Sequence, residues 1–370
     1  MKNTIIALSV FIISFINIIS QEQEDVMINP YWYFYSDNYL DAKKTGMGFT
    51  GIAGTTDISG INHNPASLDI TQKYQVGLQY TYKTNQPWLQ FLNVDDLYLK
   101  HTLFSGSAGF GYKINKNFQT GLLYSNPTSL KINFGTVIVT NEFGQEISRY
   151  EAYDEYIVHS FSVPFIYNIE KLRIGINLNY SLHRRYLNFD DSLFTGKFDR
   201  FNVQGGIIVK PIKELAIGIT FIPEVSGIVT GSFPNEIESE ETNAIIPLRF
   251  GAGIEYIIKG NILKIAADYN YSNLSSREGL KDKHQAHFGL EYYVDKNWTV
   301  RTGFLTIPDP RDLTYNYGNP GDNYDQIFLT FGGTYKTKNI EASIGVMDSH
   351  ISSGVLQNSF INGGLTFNFK

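Results

Sequence analysis

Strict alternation of side chains in short segments joined by tight polar turns is the feature that most limits how this chain can fold. Leu172, Ile174, Ile176, Leu178, Tyr180 and Leu182 are apolar, while Arg173, Gly175, Asn177, Asn179, Ser181 and His183 lie between them. A period of two puts the first set on one face of a strand and the second on the other. A soluble sheet shows the same alternation, so a second observation has to decide between water and lipid. The chain opens MKNTIIALSVFIISFINIIS, with Lys2 ahead of an apolar core from Ile5 to Ile19 and a small residue at Ser20. That arrangement predicts a secretory signal over residues 1–20. An export signal followed by many alternating strands predicts a transmembrane antiparallel β-barrel, apolar toward lipid and polar toward its lumen.

The hairpin turns set the strand count. Short polar connections stand at Ile114–Asn117, Asn168–Lys171, Pro211–Glu214, Lys259–Asn261, Asp295–Asn297 and Lys336–Asn339. Each is flanked by alternating segments. Longer connections lie between the hairpins at 83–103, 127–154, 186–197, 227–243, 273–281, 307–321 and 351–356. About fourteen strands result, an even number as bacterial barrels have. They are expected near 74–82, 103–113, 117–126, 155–168, 171–185, 198–210, 214–223, 244–258, 261–272, 283–294, 297–306, 323–336, 339–348 and 358–369. A hairpin within 127–154, turning at Phe143-Gly144, would change the count by two. Short turns on one side and long loops on the other place both termini in the periplasm. A secreted β-sandwich accounts for neither that asymmetry nor the closing strand, where Leu365, Phe367 and Phe369 alternate with Thr366 and Asn368.

Composition narrows the function classes. The chain has 370 residues and no Cys, so disulfides and thiol chemistry are excluded. Its 25 Tyr, 26 Phe and 33 Gly suit aromatic girdles on barrel strands. A net charge of −6 argues against nucleic acid as a partner. Beyond the signal, no run of eighteen or so apolar residues predicts a membrane helix. No metal site is expected: His284 and His287 are three apart and point to opposite faces of a strand. His159 and Ser160 are adjacent and also diverge, so they form no catalytic dyad. With no nucleotide fingerprint either, neither an enzyme nor a cofactor is expected.

Residues 21–73 precede the first strand and are rich in glycine and small polar residues, too irregular to span lipid. A plug inside the barrel is the expected role. The division predicted is therefore 1–20 signal, 21–73 luminal hatch and 74–370 barrel. Within the hatch, Gly46-Met47-Gly48 leads through Asp57 to Asn64-Pro65-Ala66 and Leu68. This run resembles the N-terminal signature of the FadL/TodX superfamily of outer-membrane transporters for hydrophobic compounds, and Pro247–Tyr256 looks like a later strand of that family. The resemblance implies a fourteen-stranded barrel in the bacterial outer membrane, closed by an N-terminal hatch. It also implies passive uptake of small hydrophobic compounds such as long-chain fatty acids or aromatic hydrocarbons. Asn64, Pro65 and Ala66 would lie in the hatch near the wall; the residues themselves equally suit a turn ahead of strand one. PorV-like proteins, which serve protein secretion or surface assembly without small-molecule transport, resemble the same superfamily and supply the alternative.

Partners expected on the transport reading are outer-membrane lipids, lipopolysaccharide and hydrophobic small molecules; on the alternative, secretion components. Trp88, Leu89, Phe91 and Leu92 are candidates for an apolar capture surface in the first outer loop. Alternation turns Arg173, Arg200, Arg249, Glu255, Lys264, Asp268, Glu291, Arg301 and Glu341 inward, where mixed signs would pair with each other and with the hatch. Arg249 and Arg301 are candidates to bind a substrate head group. Pro164, inside a clear strand, and Pro223, at the end of another, each remove a ladder donor and are candidates for a kink in the wall.

Overall fold

In a computed structural model of the chain, the described residues are 40–83, 98–100, 105–140, 143, 145–189, 192–232, 240–258, 260, 262–276, 279–314, 324–352 and 357–370. The expected signal, the first part of the expected hatch, and Trp88, Leu89, Phe91 and Leu92 lie outside them.

The strands are β1 (Tyr74–Lys83), β2 (Tyr98–Lys100), β3 (Ser105–Lys113), β4 (Phe118–Thr140), β5 (Glu146–Ile169), β6 (Leu172–Phe189), β7 (Ser192–Ile212), β8 (Leu215–Ile222) and β9 (Val225–Ser232). They continue as β10 (Glu240–Ile246), β11 (Arg249–Ile257), β12 (Leu263–Ser272), β13 (Lys283–Tyr293), β14 (Trp298–Ile307), β15 (Gln326–Lys336), β16 (Ile340–Asp348) and β17 (Ser359–Phe369). Every pairing is antiparallel. β1 pairs with β17 from Tyr74↔Phe369 to Lys83↔Phe360, which closes the sheet on itself. Three segments continue a neighbour across a short break: β2 with β3 along β4, β8 with β9 along β7, and β10 with β11 along β9 and β8. The architecture is a closed barrel of fourteen antiparallel strands.

The faces are those of a protein in lipid. Ile176 and Leu178 are over 40% exposed on the outer surface, while Asn177 between them is fully buried. A water-soluble sheet would reverse that order; an apolar exterior around a polar interior is stable only with hydrocarbon outside.

Three expected loops are strands. β4 and β5 stay paired from Thr128↔Val158 to Thr140↔Glu146, with register shifts at Asn133/Gly135 and Val139/Thr140, so 127–154 extends one hairpin and adds no second one. β6 and β7 pair up to Phe189↔Ser192, within the expected loop 186–197. β9 and β10 pair up to Gly231↔Glu240, within 227–243. Beyond the lipid band both faces of a ribbon meet water, so the apolar–polar contrast that marks a wall strand is lost while the backbone ladder persists.

Prolines interrupt the ladder in three places. Pro164 faces Asn177 across an intact β5–β6 ladder, but Gly121 and Leu122 of β4 have no ladder partner on β5, and register is kept. Thr120 Oγ1 donates to the Pro164 carbonyl at 2.8 Å in that interval. A true register shift stands higher on β4, at Asn126-Pro127. Pro223-Glu224 separates β8 from β9, and opposite it Pro247-Leu248 separates β10 from β11.

Candidate functional site

Residues 40–72 lie inside the barrel, held by contacts to strands around most of its circumference. The segment folds through three side-chain caps. Asp41 Oδ1 accepts from Lys43 N and Lys44 N and starts α1 (Ala42–Gly46). Asp57 accepts from Ser59 N and starts the 3₁₀ turn Ile58–Gly60. Asn64 Oδ1 accepts from Ala66 N at 2.9 Å and starts the 3₁₀ turn Pro65–Ser67. Asn at the cap and Pro at the first position is the arrangement helix starts favour, because the cap fills an orphan donor and Pro has none to lose.

The motif residues meet the wall directly. Asn64 Nδ2 donates to Ile52 O at 2.6 Å and to Ile219 O of β8 at 3.3 Å. Gly175 and Gly206, neighbours across β6 and β7, leave room for this turn. A Cβ on Gly175 would stand 2.3 Å from Ala66 N, and one on Gly206 would stand 1.9 Å from Asn64 Oδ1. Gly48, at φ 61°, passes so close to β13 and β14 that a Cβ would lie 2.4 Å from the carbonyls of Phe288 and Phe304. Its N–H donates to Thr330 Oγ1 at 2.9 Å, and Thr330 Oγ1 lies 3.2 Å from Gly46 O, to which it donates. Met47, between the two glycines, is buried.

Strand side chains take up further backbone donors of the segment. Gln79, Gln75 and Gln119 accept from Ala42 N, Ile58 N and Ile70 N. Asp268 Oδ2 accepts from both Gly51 N and Ile52 N at 2.7 and 3.0 Å. Arg173 donates to Leu68 O. An apolar cluster of Ile58, Ile61, Leu68 and Ile70 packs on Leu123 and Ile166 of the wall.

Several of the inward charges pair with one another or with the segment. Lys43 Nζ lies 2.6 Å from both Asp57 Oδ2 and Glu341 Oε1, and Thr366 Oγ1 donates to Asp57 Oδ2 at 2.7 Å. Burial works against charge on Asp57, but the Lys43 ammonium outweighs it and holds the carboxyl below its usual range. Burial lowers Lys44 to about 8, opposed by Asp41 and Asp268. On the wall, Lys264 bridges Glu255 and Glu291 at 3.5 and 3.0 Å, and Arg301 Nε donates to Glu291 Oε2 at 2.5 Å. Arg301 also donates to Thr334 Oγ1, so this guanidinium is committed to the wall network.

The segment stands between two cavities. One, about 730 Å³, opens toward the tight turns and is lined by Lys213, Glu214, Lys296 and Lys336 together with Arg301 and the Lys43–Asp57 pair. The other, about 230 Å³, lies toward the long ribbons and is lined by Phe49, Asn62 and His63 of the segment with Arg249, His183 and Gln204 of the wall. The two guanidinium candidates thus sit at opposite ends. His287 Nδ1 meets Gly48 O at 2.8 Å, whereas His284 points outward to Tyr269. No group of three metal-ligating side chains occurs among the described residues.

Sequence reading missed the amide-lined cavity. Its signal was present in the inward series Asn179, Ser181 and His183, but which inward positions share one level depends on barrel stagger.

No protein-family model matches the chain. It is similar in fold to a solved Pseudomonas aeruginosa FadL homologue, with TM-score 0.66, 12% identity, and coverage of 90% of this chain and 98% of that one. The Pseudomonas putida toluene transporter TodX gives TM-score 0.60 at 13% identity, covering 90% and 98%. The CymD monoaromatic hydrocarbon channel gives 0.59 at 14% identity, covering 89% and 97%. Among curated proteins, a long-chain fatty acid transport protein of Salmonella typhi is 22% identical over 314 residues, 81% of this chain and 61% of that protein. One from Escherichia coli O6:H1 is 30% identical over 108 residues, 29% of this chain and 24% of that protein. The chain therefore spans less than two thirds of the curated relatives it matches. These similarities lend no support to the PorV-like alternative.

Proposed function

We propose that this barrel of the FadL/TodX type admits small hydrophobic compounds passively across a bacterial outer membrane. Long-chain fatty acids and aromatic hydrocarbons are the compounds named for its relatives, and the same class is proposed here. The observation that carries the reading is the segment 40–72, tied across the lumen between a polar cavity on the turn side and a smaller cavity on the ribbon side. A permanently open pore needs no such partition, and a structural barrel needs no cavity behind it.

On this reading residues 1–20 are an export signal, 21–73 a hatch and 74–370 the barrel, with both termini periplasmic and the ribbons facing lipopolysaccharide. The capture surface would include Trp88, Leu89, Phe91 and Leu92. Ligand would reach the cavity beside Arg249 and pass when the hatch motif, Gly46-Met47-Gly48 with Asn64-Pro65-Ala66, shifts. The interval in the β4–β5 ladder beside Pro164 offers a weak place in the wall, where a ligand could leave sideways. Arg301, held by Glu291 and Thr334, serves the wall rather than the ligand.

Binding of a labelled fatty acid and of toluene to the purified protein tests the proposal. Saturable binding displaced by unlabelled compound is expected. Absence of binding to either, with co-purification of secretion components, would overturn it in favour of the PorV-like role.

A further inference from the structure

The ribbon-side cavity has an unusual lining for a chamber that would hold plain hydrocarbon. Of its 27 lining residues, eight carry apolar side chains and Arg249 alone carries a full charge; apart from Gly251, the rest are amides, hydroxyls and histidines. These polar groups are ordered in rows across the strands. Ser162 of β5, Asn179 of β6 and Asn202 of β7 are direct cross-strand neighbours. Ser162 Oγ donates to Asn179 Oδ1 at 2.5 Å, and Asn179 Nδ2 donates to Asn202 Oδ1 at 2.8 Å. The row ends at the cavity with Asn202. One row higher, Ser160 and Ser181 also line it. Above them His183 meets Tyr156 through Nδ1, while its buried Nε2 has no hydrogen-bond partner among the described residues.

Half of the apolar lining is gathered in one place. Ile222, Ile245, Ile246 and Pro247 sit together where β8 and β10 end at their paired proline breaks. Arg249 belongs to that side too, directly opposite Ile222. The cavity therefore has amide and hydroxyl rows on β5–β7 and an aliphatic corner where β8 and β10 end. At about 230 Å³ it has the bulk of roughly eight waters at ~30 Å³ each, enough for a compact head group.

Resting on the transport reading above, we propose that this cavity selects amphiphiles with an uncharged, hydrogen-bonding head group, of the chemical class of glycerol monoesters and long-chain alcohols. The hydroxyls of such a head exchange hydrogen bonds with Asn202, Ser160 and Ser181, and the first carbons of the tail lie against Ile222, Ile246 and Pro247. A plain hydrocarbon would strip water from these amides and return nothing, which buried polar groups penalise. A carboxylate would find one guanidinium, on the aliphatic side, and its charge would otherwise face neutral groups.

The test is competitive retention by the purified full chain. The protein is equilibrated with an equimolar mixture of monododecanoylglycerol, dodecanoate and dodecane, re-isolated, and its bound compounds are extracted and quantified by mass spectrometry. The monoester is expected at tenfold or more over each competitor. Asn202→Leu should remove that preference by lowering monoester retention, and Asn202→Gln, which keeps an amide, should preserve it. Equal or greater retention of dodecane or dodecanoate would overturn the head-group inference and leave the transport reading standing. A monoester preference that survives in Asn202→Leu would overturn the assignment to this cavity. Retention of none of the three would overturn both.

Discussion

Lys43 in the luminal segment and Glu341 on β16 stand 2.6 Å apart, and the same ammonium lies 2.6 Å from Asp57, further along the segment. One cation therefore ties the segment to itself and to the wall. Replacing it by Lys43→Met leaves Asp57 buried beside Thr366 with its charge uncompensated. Removing one partner of a buried ion pair costs about 3–5 kcal/mol. The loss should fall on the segment and spare the barrel, whose inter-strand ladder contains none of these atoms. Proteolysis within 40–72 should accelerate, while heat-modifiable migration of the barrel in gel electrophoresis is unchanged.

Acid should act through the same group. Asp57 is held below the ordinary carboxylate range, so its unfolded form takes up a proton first as pH falls. A depressed folded pKa contributes stability that is fully present above the unfolded value of about 3.9 and is lost as pH falls below it through the folded value. Amide exchange at 57–61 should stay protected from pH 7 down to about 4 and rise below that. In Asp57→Asn the acid dependence should vanish.

The fit of Asn64-Pro65-Ala66 against the wall gives a paired test. Gly205 and Gly206 are adjacent on β7, yet a Cβ on Gly206 meets Asn64 Oδ1 at 1.9 Å and one on Gly205 meets nothing within 4 Å. Gly206→Ala should displace the turn and shift the segment's protease sensitivity, and Gly205→Ala should match the parent. Equal behaviour of the two would show that the turn does not seat here.

The lipid face can be read the same way. Ile176→Arg places charge on the outer surface mid-strand, at a cost of about 2–4 kcal/mol at the bilayer midplane. Asn202→Arg, on a partly exposed inward position, should assemble more readily. The yield of folded barrel in lipid vesicles compares them.

Much of this fold was legible. Alternation in 171–185 and the six turns fixed strand number, order and facing, because lipid outside and polar groups inside impose contrast on every wall strand. The outer ribbons were not legible: Thr136 and Arg149 sit where both faces meet water, and no contrast survives to mark a strand. Asn64-Pro65-Ala66 could be recognised as a motif, but its seat between Gly175 and Gly206 depends on residues more than a hundred positions away. Arg249 and Arg301 looked equivalent as inward cations. Barrel height, invisible in a periodicity, put one in the ribbon-side cavity and the other among Glu291 and Thr334.

The central claim is that the luminal segment must move for a ligand to pass. Thr45 in α1 and Asn362 on β17 are placed to test it, since Asn362 Nδ2 donates to Thr45 Oγ1 and so brings one side chain of the segment and one of the wall together. The chain has no Cys of its own, so Thr45→Cys with Asn362→Cys makes a single reversible lock. Uptake of a labelled fatty acid by cells producing this variant should fall at least tenfold when oxidised and recover on reduction. Equal uptake in the locked and reduced states would contradict the account.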